Sequence, residues 1–450
     1  MRFGIAGNVA ARVGALASAV AVAGCGLLDV GNPNDLEEEA IRAEALAAAV
    51  VNGTVALVSS AVSQSWQPYL VASDELHWTG SRNAWQSLDQ GFVDDPLNEF
   101  TDGAFPAVGQ ARWMSDLAVE ILDEHVSRYA DSEKLDQLEH HRARANLYSG
   151  IIYMVIGEVQ EDFAFSDRNE GAEPVGRSNM HTVLDDAIAR LDAAVSGFGV
   201  LGDDDMVASA MAVRARAHHS RGVWDAINPS ASGDGLVRSS QAAADAQAVV
   251  DAVAGADWVF NLTYSAASVA NSMAAWINDR KENQLDTSIV TLSAANDIEG
   301  IALRDPINWW RGDPSVIKWL NQWKGGDYRN RGGIYPPLTI ASTRMMHVIM
   351  AEDALASSDA DAFAQHINHI RAMDQLTAYN EQIPRLEMLQ HMRRVTVLLQ
   401  GLRLADMYRW GIEGALWQDV SDAVRCPGVM LPVPNIERTA NPQDWEAGCS

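Results

Sequence analysis

Apolar residues recur with the period of an α-helix along most of the chain, and the predicted helices come in pairs. The clearest stripe is formed by Leu184, Ala187, Ile188, Leu191, Ala194, Val195 and Phe198. The predicted pairs are 106–126 with 132–157, 180–197 with 203–222, and 341–357 with 359–373. Hairpins of this size stack into curved scaffolds like those of tetratricopeptide repeats. The sequence therefore predicts a mainly α fold with a tetratricopeptide-like helical-hairpin scaffold.

Two long segments interrupt this pattern, at about 65–105 and 256–337. Both lack the helical period and combine Gly and Pro with many of the chain's 14 tryptophans. Irregular segments of this length inside a compact domain are usually functional or disordered, and the tryptophans argue against disorder. We therefore predict a helical scaffold at about 35–64, 106–255 and 338–411, including one helix from about 384 to 411, with a loop-rich ligand-binding face between.

The amino terminus has the composition of a lipoprotein signal peptide. Arg2 and Arg12 precede an apolar run at 13–23, and small residues stand before Cys25. A run of about ten residues is too short to span a bilayer. We predict a signal peptide at 1–24, lipid attachment at Cys25 and a single domain at 25–450. The alternative is a plain signal peptide with an incidental cysteine. No later apolar run is expected to reach membrane-spanning length, so membrane contact would use the lipid alone.

The chain is strongly acidic, with a formal net charge of −27 that becomes about −29 once residues 1–24 are removed. A surface of this charge repels phosphate backbones, and no basic stripe offsets it. Nucleic acid is therefore excluded as an expected partner.

Two further cysteines, Cys426 and Cys449, follow the predicted lipid-bearing one. An exported chain enters an oxidising compartment, so the two are predicted to form a disulfide. Two free thiols are the alternative.

Motifs that carry catalytic or metal chemistry are weak here. Residues 197–202 match a dinucleotide fingerprint by letters, but they follow an amphipathic helix instead of a strand, so we interpret them as a helix end. His366 and His369 have a spacing suited to sharing a metal ion, yet no third ligand accompanies them in sequence, and a solvated helix face is the favoured interpretation. With no Gly-x-Ser-x-Gly motif, we predict no enzymatic activity, no metal and no cofactor.

Clustered tryptophans suggest a ligand instead. The faces of sugars stack on flat aromatic rings while their hydroxyls seek polar side chains, and two stretches, 78–85 and 309–313, have that composition. The predicted ligand-binding residues are Trp78, Arg82, Asn83, Trp85, Trp309, Trp310, Asp313, Trp319 and Trp323. The alternative is that these rings lie buried beneath long loops, as most tryptophans do.

Three separated stretches together resemble the SusD/RagB family. They are Val22-Ala23-Gly24-Cys25 followed by Leu28-Asp29-Val30-Gly31-Asn32-Pro33, the run Gly401-Leu402-Arg403-Leu404-Ala405-Asp406-Met407-Tyr408-Arg409-Trp410-Gly411, and Leu431-Pro432-Val433-Pro434 with Asn441-Pro442. The resemblance implies a SusD-like fold in a lipoprotein of the Gram-negative outer membrane. It also implies binding of a nutrient, commonly a glycan, and partnership with a SusC-like TonB-dependent transporter at the cell exterior.

Departures from the family pattern leave alternatives open. Thr396 and Gln400 stand where the family usually has glutamates, so it is open whether the family's ion-pair network is kept. Residues 26–29 lack the acidic cluster that often directs such lipoproteins to the cell surface. The alternative function is a helical-repeat scaffold lipoprotein that mediates protein–protein interactions in the envelope. A hydrolase acting on the same polymers is a third candidate.

Overall fold

Two units make up the described part of the chain, a short segment that ends at Ala47 and a body that begins at Ala48. The computed structural model describes residues 38–167, 170–227, 233–286, 289–291, 302–303, 305–307, 313–326, 332–446 and 448–449. The first unit contributes α1 (Glu38–Ile41) and a 3₁₀ turn (Glu44–Leu46). The predicted signal peptide, Cys25, Trp309 and Trp310 lie outside the described residues.

The alanine-rich run after the 3₁₀ turn forms α2 (Ala47–Ala72). By length and hydropathy, Glu44–Ala72 is long and apolar enough to cross a membrane, so the prediction that no later run reaches that length is wrong. Its second half nevertheless lies inside the body, where Trp66 and Tyr69 are buried. Gln67, also buried, donates a hydrogen bond to Oδ1 of Asn283 at 2.7 Å. Polar contacts of this kind are those of a core helix in a folded domain.

Antiparallel hairpins form most of the body, which confirms the prediction of a mainly α fold. In chain order, the helices of the body are α2, α3 (Asn83–Asp89), α4 (Glu99–Arg128), α5 (Leu135–Val159), α6 (His181–Leu201), α7 (Asp204–Ile227), α8 (Ser240–Ala252), α9 (Ser272–Ala274, continued by a π-helical turn at Ala275–Asp279), α10 (Pro314–Trp323), α11 (Thr343–Ala356), α12 (Ala360–Met373) and α13 (Arg385–Thr396). They are followed by α14 (Arg403–Arg409), α15 (Asp422–Arg425) and α16 (Asn435–Ala440). The three predicted pairs correspond to α4 with α5, α6 with α7, and α11 with α12.

Close helix packing in the scaffold depends on two glycines of α5. A Cβ added to Gly150 would lie 2.6 Å from Cγ of Leu191, and one added to Gly157 would lie 2.6 Å from Cγ of Leu184. Both distances are far below van der Waals contact, so α5 and α6 approach each other closely only where α5 lacks side chains. The next turn, at 197–202, is a helix end as predicted, since Gly202 adopts a left-handed conformation with φ +69°.

Two boundaries differ from the predictions. The first irregular segment ends earlier than expected, because α4 begins at Glu99 and accommodates Pro106 within it. Asn98 supplies the start, since its side chain accepts a hydrogen bond from N–H of Phe100 at 3.0 Å. The predicted helix at 384–411 is divided into α13 and α14, because Leu399 and Gly401 adopt positive φ between them.

Six short strands form three antiparallel pairs. They are β1 (Leu76–Trp78) with β3 (Asn283–Leu285), β2 (Val259–Leu262) with β6 (Leu338–Ser342), and β4 (Val290–Thr291) with β5 (Ala302–Leu303). Two of the pairs join the second irregular segment to distant parts of the chain. That segment is therefore held on the scaffold by backbone hydrogen bonds as well as by side chains.

A buried ion-pair cluster holds the α13–α14 region to the scaffold. Asp406 accepts from Nε of Arg393 at 2.8 Å and from Nε of Arg409 at 2.9 Å. Arg409 also pairs with Glu352 of α11, which further contacts Nη1 of Arg393 at 3.4 Å and Nε2 of His219 at 2.9 Å. This region therefore contains a buried ion-pair network of its own, whose carboxylates are those of Glu352 and Asp406.

Two contacts hold the carboxyl-terminal tail on the body, a disulfide and a backbone hydrogen bond. Cys426 and Cys449 form a disulfide with their Cα atoms 5.8 Å apart. Between them, Leu431 is buried and its N–H donates to the carbonyl of Val159 at 3.0 Å. The tail thus lies against the end of α5.

Candidate ligand-binding face

The two irregular segments meet at the β1–β3 pair, which we name the ribbon. Leu76 pairs with Leu285, and Trp78 pairs with Asn283. Three residue pairs of antiparallel strand extend for about 10 Å. The ribbon therefore brings positions about 200 residues apart onto one face of the body, and the end beyond Trp78 leads into exposed polar residues.

A glycine turn closes the end of the ribbon beyond Trp78. The carboxylate of Glu282 accepts hydrogen bonds from the backbone N–H groups of Ser81 and Arg82 at 2.8 and 3.1 Å. A Cβ on Gly80 would lie 2.0 Å from Oε2 of that carboxylate. Only glycine fits there, so Gly80 allows Glu282 to fix the turn and to present the exposed side chains of Ser81, Arg82 and Asn83 to solvent.

His77 fastens the middle of the ribbon through two carboxylates. Its Nδ1 lies 2.9 Å from Oδ1 of Asp89 on α3, and its Nε2 pairs with Asp286 just after β3. Hydrogen bonds with Asp286 and Asp89 raise the pKa of His77 to about 10, although burial opposes the shift. His77 is therefore a cation at neutral pH and links both segments electrostatically.

A cleft of about 300 Å³ opens beside the other end of the ribbon. One wall is a polar stripe of α13 with helical spacing, formed by Glu387, Gln390, His391 and Arg394. The remaining lining residues are Asp74, Ile289, Pro306, Val395, Arg403 and Ile412. The volume is at the lower end of the range of small-molecule sites, and the stripe offers both donors and acceptors to a hydroxyl-rich ligand.

The floor of the cleft is a fixed ion pair. Asp74 accepts from Nε and Nη2 of Arg403 at 2.6 and 2.9 Å, and Arg394 approaches it at 2.8 Å. Burial alone would raise the pKa of Asp74, but the hydrogen bonds and charges of the two guanidinium groups outweigh it and lower that pKa. The floor is therefore charged, polar and rigid at neutral pH, and it can orient ligand groups without rearranging.

An aromatic ring that the sequence analysis did not select lies at the glycine-turn end. Trp276, in the π-helical turn, is half-buried, and the guanidinium carbons of Arg280 and Arg82 lie 4.3 and 5.8 Å from its ring centroid. Trp85 and Phe100 support it from beneath by edge-on contacts at 5.7 and 5.2 Å. A rigid, partly exposed ring with cations beside it is a suitable surface for stacking.

Four of the predicted ligand residues are core residues, and the prediction is corrected for them. Trp85 is 1% exposed and stacks on Phe100, while Trp319 and Trp323 are 4% and 5% exposed. Nε1 of Trp319 donates to the carbonyl of Val395, so this ring fastens α10 to α13. Asp313 is fully buried because it caps α10 and pairs with His391. Rings and carboxylates used in this way cannot contact a ligand.

Three other predicted residues, Trp78, Arg82 and Asn83, are described by the structure and lie on or near the ribbon. Arg82 and Asn83 are exposed at the glycine turn, and Arg82 pairs with Glu99 at 3.3 Å. Trp78 is half-buried on β1, and its indole N–H has no hydrogen-bond partner. The polar stripe of α13 was missed because its spacing is that of any solvated helix face.

Two other cavities in the described structure differ in chemistry. The one beside the buried ion pairs, lined in part by Glu158 and Asp406, has a volume of about 50 Å³, which is room for only a few water molecules. The other is a groove of about 480 Å³ on α4. Its walls include Phe105, Pro106, Trp113 and Ala164, so it offers mainly apolar surface.

The fold and the ribbon define a class of protein, a helical-hairpin scaffold that carries an irregular, polar binding face. Solved structures of SusD-like proteins share this fold. A SusD homolog from Bacteroides thetaiotaomicron matches with a TM-score of 0.64 at 12% identity, over 92% of this chain and 99% of that one. A laminarin binding SusD-like protein matches with a TM-score of 0.59 at 13% identity, over 90% and 99%.

A third SusD-like structure, a carbohydrate binding protein from Bacteroides vulgatus, has a TM-score of 0.51 at 9% identity, over 81% of this chain and 82% of that one. No protein-family model matches the sequence, and no curated protein matches it. The chain therefore has the SusD-like fold.

Proposed function

We propose that this protein is a non-enzymatic outer-membrane lipoprotein that binds a glycan or oligosaccharide on the ribbon and delivers it to a SusC-like TonB-dependent transporter. The observation that carries the proposal is the cleft beside the ribbon, which the polar stripe of α13 lines together with Ile289 and Pro306 of the second irregular segment. The SusD-like fold supports it, since two of the matching structures are described as binding laminarin or carbohydrate.

The two ends of the ribbon have complementary roles in this proposal. Gln390 and Glu387 supply an amide and a carboxylate that hydrogen-bond sugar hydroxyls, because a site that pairs polar groups rejects ligands lacking them. Trp276 supplies a ring for stacking at the glycine-turn end, and the ribbon between the two ends extends for about 10 Å, which suits a ligand of more than one sugar unit. Trp309 and Trp310 stay predicted as further stacking rings.

A binding screen against polysaccharides, oligosaccharides and peptides tests the proposal, using the lipid-free mature chain. Once a ligand is found, Gln390→Ala should weaken binding about tenfold, which corresponds to 1.4 kcal/mol. Gln110→Ala is the matched control, because Gln110 is an exposed glutamine that lines the groove on α4. Equal loss of affinity in both variants, or loss only in the control, would move the site away from the ribbon.

Catalysis and anchoring have separate tests. Incubation with the bound polymer should release no new reducing ends; release would favour the hydrolase alternative. Mass spectrometry should find a diacylated or triacylated Cys25 at the mature amino terminus. Protease added to intact cells should degrade the protein if it faces the exterior, whereas protection would place it on the periplasmic side.

A second function, docking of a protein partner, is favoured by exposed apolar side chains near the groove. Leu97 is 71% exposed and Ile436 is 46% exposed. Their segments are adjacent, since N–H of Asn435 donates to the carbonyl of Pro96 at 2.8 Å. This surface suits either the proposed transporter or the partners of an envelope scaffold. Leu97→Asp should reduce co-purification with the partner without changing glycan affinity; an unchanged yield would exclude this surface.

A further inference from the structure

Cations gather at the glycine-turn end of the ribbon, although the chain as a whole is strongly acidic. Arg82 follows β1, and Arg280 and Lys281 come just before β3, so the pairing of the two strands brings them to one end. All three side chains are exposed. The guanidinium carbons of Arg280 and Arg82 lie 4.3 and 5.8 Å from the ring centroid of Trp276. Two of the three charges thus lie beside one aromatic ring on a surface open to solvent.

The second irregular segment, 256–337, has a charge balance unlike that of the whole chain. The chain contains four lysines, and three of them, Lys281, Lys318 and Lys324, belong to this segment. The segment has eight Lys and Arg against nine Asp and Glu, whereas the whole chain has 33 against 60. Charges further away than about 8 Å are largely screened at physiological ionic strength. An anionic ligand at this segment is therefore repelled little by the acidic scaffold.

The carboxylates near the glycine turn do not cancel its cations. Glu282 is 8% exposed and points into the turn, where it accepts from the N–H groups of Ser81 and Arg82 and from Oγ of Ser81 at 2.9 Å. Glu99 pairs with Arg82, but their side chains are 50% and 46% exposed, and exposed pairs of this kind are weak. Asp279 is exposed. With Glu99 included, the turn presents three exposed cations and two exposed carboxylates, and a ligand carboxylate can displace Glu99.

The backbone at Lys281 is a second observation that points to a function for this charge. Lys281 has φ +57°, a left-handed conformation that lysine rarely adopts and that glycine adopts readily. Thr79 holds the strand there, since its N–H donates to the carbonyl of Glu282 at 2.9 Å and its Oγ1 to that of Lys281 at 3.4 Å. Backbone strain of this kind is concentrated at functional sites. The turn thus has a lysine where the backbone alone would favour glycine.

We propose that the glycine-turn end of the ribbon recognises an acidic sugar, whose uronate carboxylate binds Arg82, Arg280 and Lys281 while Trp276 stacks on the sugar ring. Guanidinium groups bind carboxylates through two parallel hydrogen bonds, and a neutral sugar offers no such partner. This inference rests on the proposed function, because it assigns a charge class to the proposed glycan.

The test is isothermal titration calorimetry of the lipid-free mature chain with oligosaccharides from polygalacturonate, alginate and glucuronoxylan. Each is measured beside its carboxyl-reduced form, which keeps the sugar backbone but removes the charge. Neutral laminarin oligosaccharides and a peptide mixture complete the set. At least one uronate ligand should bind at least tenfold more tightly than its reduced form, and the difference should shrink as salt is added.

Variants of the turn should change the affinity for that uronate ligand in opposite directions. Arg280→Gln and Lys281→Gln should each weaken it about fivefold or more. Glu99→Gln should strengthen it, because Glu99 competes with the ligand for Arg82. The matched control is Arg128→Gln, since Arg128 is an exposed arginine at the other end of α4, roughly 40 Å from Glu99, and its loss should have no effect. Thermal unfolding verifies that each variant is folded.

Three results would overturn the inference. They are equal affinity for a uronate ligand and its reduced form, an affinity unchanged in both Arg280→Gln and Lys281→Gln, and an equal loss in Arg128→Gln. Binding of neutral glycans alone would also overturn it but would leave the proposed function standing. Binding of peptides and of no glycan would refute the proposed function itself.

Discussion

Replacing Glu352 with glutamine tests how far the buried ion-pair cluster stabilises the fold. Glu352 is fully buried and contacts Arg409, His219 and N–H of Val237, the last at 3.0 Å. Glutamine keeps the volume but removes the charge. Asp406 would then be the one carboxylate shared by Arg393 and Arg409, and one positive charge would stay buried without compensation.

The expected loss in the free energy of unfolding follows from this uncompensated charge. Breaking a buried pair by removing one partner costs about 3–5 kcal/mol, because the remaining ion keeps its desolvation penalty. An unfolding entropy of about 2.1 cal/mol/K per residue over roughly 400 residues converts this cost to a fall in Tm of about 4–6 °C. Urea unfolding measures the free energy directly, and thermal unfolding provides the second measurement.

A matched control comes from the surface. Arg385 pairs with Glu381, with their side chains 41% and 59% exposed, so Arg385→Gln should cost about 0–1 kcal/mol. The double variant Glu352→Gln with Arg409→Gln should lose less than the sum of its single variants, because it removes both charges of a pair. A Glu352→Gln variant as stable as the Arg385→Gln control would refute the argument.

The effect of Glu352 should also depend on pH. Burial would raise its pKa, but the charges of Arg409 and His219 outweigh burial and hold that pKa well below the ordinary value. The ionised carboxylate therefore contributes stability above the unfolded-state pKa of about 4.3, and the contribution is lost as the pH falls below it. The difference between wild type and Glu352→Gln should shrink in that acidic range.

Three further predictions concern the tail, the tryptophans and a buried acid. Cys426→Ser should lower the free energy of unfolding by about 3 kcal/mol, as expected for a disulfide that closes a loop of this length. In the chain that lacks Cys25 but keeps Cys426 and Cys449, thiol titration after unfolding without reductant should find no free thiol. Trp319→Ala should cost about 3–5 kcal/mol in urea unfolding without selectively weakening glycan binding. Burial, reinforced by Asp74, raises the pKa of Glu75 to about 8. The folded state therefore favours the protonated carboxyl, and the stability that this form contributes is lost as the pH rises from about 4 to 8. Glu75→Gln should therefore be more stable relative to wild type at pH 8 than at pH 5, and a constant difference in urea unfolding would contradict this.

The helical hairpins could be predicted because apolar residues on one face of a helix recur at helical spacing in the local sequence. The stripe from Leu184 to Phe198 is a property of neighbouring residues, and α6 occupies its predicted place. The ends of the helices depended on weaker local signals. Pro106 favoured a helix start at that residue, whereas the structure has the helix cap at Asn98, eight residues before Pro106. The split after α13 depends on Leu399, a residue type that rarely adopts positive φ.

Long-range pairings could not be predicted from spacing alone. His347 lies 19 residues before His366, and nothing in that separation indicates that their rings meet. The buried carboxylates of Glu352 and Asp406 could not be paired with Arg393 and Arg409 from sequence, because charges in a cluster can come from any helix that faces it. The ribbon itself joins His77 to Asp286 across about 200 residues.

The tryptophan-rich segments led to a wrong prediction for Trp85, Trp319 and Trp323, and the reason concerns how loops are kept in place. Trp85 lies on α3, and Trp319 and Trp323 lie on α10, so each ring is on the buried side of a short helix and helps to hold that helix on the scaffold. Trp319 and Trp417 illustrate this, because their indole N–H groups donate to the carbonyls of Val395 and Ala72, each at 3.0 Å. Tryptophan in an irregular segment thus indicates an ordered segment before it indicates a ligand. A polar stripe beside such a segment is the feature on which our proposal of a binding face depends, and the stripe of α13 is one, since it lines a cleft together with Ile289 and Pro306.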